Sequence, residues 1–148
     1  MSEQSEPSTS AVRASREIRA VISRLRRRIL NASEVEDLTL GQSSVLARLS
    51  DETAATASEL AALEGVRHQS MTATVASLAA MDLVTRSPDP EDGRRLLITL
   101  TPEGQRRVDH GRRLRTEWLA AQLQDKCTED ERQTVIAAMA VLARLTHD

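Results

Sequence analysis

The chain has 148 residues, 40% of them hydrophobic, and its 20 basic and 22 acidic side chains leave a formal net charge of −2. That length suits one domain with its own core, and the charge balance excludes a general basic field as the source of any nucleic-acid affinity. A single cysteine, Cys127, excludes an internal disulfide framework and fits a reducing compartment. The longest wholly apolar run, Val135 to Ala143, is far short of the roughly 20 residues that span a bilayer. The amino terminus has neither the basic flank nor the apolar core of a signal peptide, so the sequence predicts a cytoplasmic protein with no membrane partner.

Charge is unevenly placed along the chain. Residues 1–30 hold seven arginines against three acids, and residues 31–66 hold one arginine against seven acids. Residues 67–100 are balanced at four and four, and residues 101–148 at eight and eight. A case for nucleic-acid binding must therefore rest on where individual arginines stand.

Residues 1–10 are polar without apolar periodicity and read as a disordered tail. Residues 11–148 read as a single domain. A first helix over 11–31 carries Ile18, Val21, Ile22, Leu25 and Ile29 as a stripe, with seven arginines beside it. Those arginines suit phosphate or an acidic partner; the plainer reading is a solvated face paired with the acidic 31–66 segment. Thr39 and Gln42 form a capping-box pattern opening a scaffold helix through Val45, Leu46 and Leu49.

The winged helix-turn-helix region is placed at 39–101, and its reading head starts at Thr56. Thr56 and Glu59 repeat the capping box, a short helix runs through Leu60 and Leu63, and Gly65 supplies the turn. A second helix runs from about Arg67 to Met81, its buried stripe Met71, Val75 and Leu78, with no acid on the other face. Residues 83–87 and 95–100 then read as two strands, the latter alternating Leu96, Ile98 and Leu100 against Leu97 and Thr99, joined by Pro88-Asp89-Pro90-Glu91-Asp92-Gly93-Arg94. An exposed helix beside a hairpin with arginines at its tip can touch two grooves of one duplex. The pattern points to double-stranded DNA as partner.

Thr101-Pro102-Glu103 opens a long helix to about Lys126, with Val108, Leu114, Trp118, Leu119 and Leu123 as its apolar positions. Thr128 and Glu131 make a third capping box before a last helix bearing Val135, Ile136, Met139, Leu142 and Leu145. Amphipathic helices at both ends of the chain must bury their stripes against each other or against a second subunit.

The run Leu60-Ala61, Gly65-Val66, Ser70-Met71-Thr72, Leu78, Leu83-Val84, Arg86, Asp89-Pro90, Asp92, Arg94 and Leu100-Thr101-Pro102-Glu103-Gly104 resembles the MarR family of bacterial winged helix-turn-helix regulators. The resemblance implies a mainly α fold with a small β-hairpin wing and flanking dimerisation helices, at 11–31 and 102–148 here. It implies a homodimer that represses nearby genes and is released by a small anionic or phenolic effector. Two positions depart from the family's pattern. Ala73 stands where an arginine is frequent, and Asp82 where a glycine often precedes the first wing strand.

Helical phase puts Arg67, His68, Gln69, Ser70, Thr72, Ala73 and Ala76 on or beside the outward face of the second helix. Gln69 can pair with adenine, Arg67 can reach guanine or phosphate, and Ser70 and Thr72 can meet phosphate or a thymine methyl. Two such helices in a dimer would read a pseudo-palindrome with half-sites about one helical turn apart. The resemblance assigns Arg94 to minor-groove insertion, oriented by a charge-assisted bond from Asp92; Arg86 and Arg95 are phosphate candidates of second rank. Trp118, the one tryptophan, is the candidate for an effector pocket between reading head and dimer helices, although a tryptophan on such a helix is more often core or interface.

Other chemistry has little to stand on. His68, His110 and His147 have no companions at ligand spacing, so no metal site is expected, and no cofactor motif or catalytic constellation is present. Cys127, after Lys126 and before the Thr128 cap, admits a thiol redox sensor as a minor alternative. The main alternative to a DNA-binding regulator is a helical protein-interaction module that keeps the winged fold, favoured by Ala73, Asp82 and the neutral reading head, and opposed by the Asp92 and Arg94 pair.

Overall fold

Thr39, Thr56 and Thr128 each accept a hydrogen bond from the backbone N–H three residues on, while the Gln42, Glu59 and Glu131 side chains each accept one from the threonine amide. All three capping boxes are thus formed, and they set where helices begin in the computed structural model, which describes residues 6–32 and 37–146. The helices are α1 (Thr9–Ala32), α2 (Leu40–Glu52), α3 (Ala57–Glu64), α4 (His68–Ala80), α5 (Pro102–Lys126) and α6 (Glu129–Ala143). A 3-10 turn follows at Arg144–Thr146. Strands β1 (Val84–Pro88) and β2 (Leu96–Leu100) pair antiparallel, Val84 opposite Leu100 and Pro88 opposite Leu96. This is the mainly α fold with a hairpin wing.

Residues 1–5 of the expected tail, and His147, lie outside the described residues. Helix α1 starts two residues before Ala11, because the Ser8 hydroxyl accepts from the Ala11 amide at 3.2 Å and so caps the helix early.

The chain divides into two compact units, Glu34–Thr116 and the pair of segments Met1–Ser33 and Glu117–Asp148. The first holds the core. Val45, Leu46 and Leu49 of α2, Leu60 and Ala61 of α3, and Met71, Val75 and Leu78 of α4 close on Leu83, Val84, Ile98 and Val108. Period 3.6 thus places the apolar positions of α2 and α4 correctly. Two positions depart from expectation. Leu63 is 46% exposed, its place in the core taken by Ala61, and Leu96 is 54% exposed because β2 runs outward beyond the core, where only Ile98 is buried.

A third segment joins the hairpin. Ala55 exchanges both backbone hydrogen bonds with Ile98, at 3.2 and 2.8 Å, fastening the middle of β2 to the residues before α3. At the hairpin base, Asp82 sits at φ 58°, in the left-handed region. Its carbonyl accepts from the Thr101 hydroxyl, which in turn accepts from the Gly104 amide and caps α5. Gly104 is buried, and a Cβ there would stand 2.0 Å from the Leu83 carbonyl oxygen.

In the other unit, α1 and α6 bury no residue within the chain, and Val21, Ile22, Ile136 and Met139 are all exposed. The Arg132 guanidinium of α6 donates to the carbonyls of Leu123 and Cys127, capping the end of α5. Trp118 is half-buried with the Arg28 guanidinium 5.9 Å from its ring centroid, within cation–π range. Among the described residues, no helix is long and apolar enough to cross a membrane.

Candidate nucleic-acid interface

Gly65 ends α3 at φ 65°, where its lack of a Cβ lets the left-handed turn form, and its amide returns to the carbonyls of Ala61 and Ala62. The chain re-enters helix at His68 with Arg67 in the N-cap position, making no side-chain cap bond. Because Met71, Val75 and Leu78 are buried, Arg67, His68, Gln69, Ser70, Thr72, Ala73 and Ala76 all stand exposed. The outward face therefore carries the side chains that helical phase assigns to it.

The hydroxyls on this face are partly committed. Thr72 donates to the His68 carbonyl and Thr74 to the Ser70 carbonyl, each at 3.0 Å, so both protons serve the helix's own backbone. Gln42, beyond its capping bond, donates to Ser77 at 2.8 Å and joins the start of α2 to α4.

The wing loop is shaped by backbone bonds. The Asp92 carboxylate accepts from the Arg94 backbone N–H at 3.1 Å, and its carbonyl accepts from the Arg95 N–H at 2.9 Å. Asp92 thus meets Arg94 through the main chain, in an Asx-type turn, and not through the guanidinium as the resemblance implies. The Asp89 amide closes the loop on the Arg95 carbonyl. Across the strands, the Thr85 and Thr99 hydroxyls are 3.0 Å apart.

The three wing arginines differ in their surroundings. Arg86 and Arg94 are exposed and, among the described residues, have no carboxylate partner. Arg95 donates to Glu59 at 2.7 Å and lies 3.8 Å from Asp89. Bonds from the Thr56 backbone and hydroxyl, and then the Arg95 charge, hold the Glu59 carboxyl below its ordinary range. The pair spans 36 positions, and no local motif announces it.

Helix α4, the start of α3 and the hairpin enclose a groove of about 610 Å³. Its polar lining includes His68, Thr72, Arg86, Arg94 and Arg95, and its apolar lining Val75, Leu96 and Ile98. Arg67, Gln69 and Ser70 are not part of the lining, and Trp118 belongs to the other unit. Among the described residues, no group of three or more histidine, cysteine, aspartate or glutamate side chains is placed to hold a metal ion. Cys127 is half-buried; the neighbouring Lys126 ammonium donates to Gln122 at 2.7 Å.

A family model described as the MarR family matches residues 36–95, from just before α2 to the wing loop. An uncharacterised HTH-type transcriptional regulator of Mycobacterium bovis, Mb0904, is 39% identical over 114 residues, covering 77% of this chain and 80% of that one. The chain belongs to the MarR family. Its relatives are transcriptional regulators rather than enzymes, and the helix-turn-helix with its hairpin is the family's DNA-binding winged helix. A candidate transcriptional regulator from Pseudomonas aeruginosa PA01 superimposes with a TM-score of 0.83 at 27% identity, covering 95% of this chain and 97% of that one. Wild-type MarR from E. coli in its apo form gives 0.73 at 25% identity, covering 86% and 94%. Against the family's pattern, Asp82 in place of glycine retains the left-handed backbone that a glycine there would adopt without strain.

Proposed function

We propose that the protein is a cytoplasmic, homodimeric repressor that binds a pseudo-palindromic operator and is released by a small-molecule effector. The observation that carries this is the exposed, acid-free outward face of α4 beside a hairpin whose Arg94 has no carboxylate partner among the described residues. In this reading Gln69 reads a base edge, and Arg67, His68, Ser70 and Thr72 position the helix. Arg94 enters the minor groove, with Arg86 on phosphate and Asp92 holding the loop. The apolar side chains left exposed on α1 and α6 supply the dimer interface, since stripes of this kind are buried by a second copy. The groove beside α4 offers Arg86 and Arg94 beside apolar Val75, Leu96 and Ile98, with Arg95 paired to Glu59 on the same lining, a mixture that suits an anionic or phenolic effector.

The test is fluorescence anisotropy with labelled DNA from upstream of the protein's own coding region against a shuffled duplex, at two salt concentrations, alongside sedimentation equilibrium. Preferential, salt-sensitive binding by a dimer supports the proposal. Equal weak binding to both duplexes would favour the second reading, a protein-interaction module, for which the short Ala73 and Ala76 side chains on the outward face are the specific observation.

A further inference from the structure

We infer that Arg95 is a positioning residue of the wing, which through Glu59 sets the inclination of the hairpin and thereby where Arg94 is delivered. The inference rests on the DNA-binding reading above. Its basis is that the wing is attached to one short segment at two points. The inner attachment is the pair of backbone bonds between Ile98 and Ala55. The outer one, at the residue just before β2 and three before Ile98, is the 2.7 Å ion pair between Arg95 and Glu59, four residues beyond Ala55.

A strand held at one point can swing about it, whereas a strand held at two points of a capped helix start cannot. Each anchor is itself fixed. Glu59 uses its other carboxylate oxygen to accept from the Thr56 amide at 2.8 Å, so its side chain is held by the α3 cap before Arg95 arrives. Arg95 is held at both backbone ends of the loop, by Asp92 and by Asp89.

The same geometry argues against Arg95 as a phosphate contact. Its charge faces Glu59 at 2.7 Å and Asp89 at 3.8 Å, so a phosphate would have to displace one carboxylate and sit beside the other. Arg94, one residue earlier, carries no such compensation among the described residues. Two adjacent arginines thus divide the work, one to touch DNA and one to aim its neighbour.

Glu59→Gln isolates the ion pair, because Gln42 shows that glutamine completes the same capping box in α2. The full-length parent, Glu59→Gln, Arg95→Ala and the double variant are titrated with the labelled upstream duplex over a range of salt. Amide hydrogen exchange of the DNA-free proteins is followed in the wing. Each single variant should weaken binding by the same factor, roughly two- to five-fold for an exposed ion pair. The double variant should be no weaker than either, and all should keep the parent's salt dependence. Exchange between Asp89 and Arg95 should quicken in Glu59→Gln.

A phosphate-contacting Arg95 gives the opposite pattern and overturns the inference. Arg95→Ala would then lower the salt slope by about 0.9, and Glu59→Gln would bind as tightly as the parent or more so. If the parent binds no DNA, the functional proposal fails while exchange still decides the strap. Unchanged wing exchange in Glu59→Gln removes it.

Discussion

The Thr101 hydroxyl lies 2.7 Å from the Asp82 carbonyl oxygen, and this one side chain joins the entry of the hairpin to its exit. The same oxygen accepts from the Gly104 amide at 2.9 Å, so it satisfies a carbonyl before β1 and a free N–H at the start of α5. Thr101→Val preserves shape and removes both bonds. We expect it to cost about 1–3 kcal/mol, as for a buried hydrogen-bonding group left unpaired, read as a lower urea midpoint. Thr101→Ser should recover most of the loss.

Gly104 is required by its neighbour. Since an added Cβ would fall 2.0 Å from the Leu83 carbonyl oxygen, a backbone atom that cannot swing away, alanine must push α5 off the hairpin base. Gly104→Ala should destabilise by about 1–3 kcal/mol or more, visible as a lower melting temperature. Gly93→Ala, where a Cβ meets open space, is the control and should leave stability near the parent's.

Asp82 should improve on replacement. Its φ of 58° strains any residue with a Cβ, and its charge stands just after the carbonyl end of α4, where an anion is unfavourable. Asp82→Gly relieves both at the expense of added unfolded-state freedom, for a net gain of about 0.5 kcal/mol. A lower denaturation midpoint in the variant would contradict this.

On the DNA side, Arg94→Ala should weaken binding to every duplex and flatten its salt dependence, because fewer counterions are released. Gln69→Ala should instead reduce discrimination between operator variants, at about 1–3 kcal/mol for a bidentate base contact, while leaving the salt slope alone. Titrating both variants against two duplexes at two salt concentrations separates these roles.

Acid should loosen the winged unit along a definable limb. Glu59 is held below its ordinary 4.5 by the Thr56 bonds and then Arg95, and Asp37 below its ordinary 3.8 by the Arg107 guanidinium. A carboxyl with a depressed folded-state pKa contributes stability that is present above its unfolded value and lost as pH falls through the folded one. Stability should therefore be flat from neutral pH down to about 5 and decline below it. Glu59→Gln should shallow the decline, as read from urea midpoints across that range.

Much of the fold is legible in the sequence because the signals are local. A capping box spans three residues and needs no knowledge of the rest of the chain, and the burial of Met71, Val75 and Leu78 follows from one helical period. Leu63 resists such reading because α3 has only eight residues, and which of its faces is covered depends on α2 and α4. Leu96 alternates correctly with Ile98 yet lies where the core has ended. The Ala55–Ile98 bridge and the Glu59–Arg95 pair join residues 43 and 36 positions apart, and nothing local distinguishes Arg95 from Arg94.

Trp118 beneath Arg28 also has an optical consequence. The chain contains neither tyrosine nor phenylalanine, so essentially all its near-ultraviolet absorption and emission come from a single indole beside a guanidinium in the unit of α1 and α6. The winged unit is spectroscopically dark. Emission therefore follows the surroundings of Trp118 alone, and a change in it reads a change at that one indole.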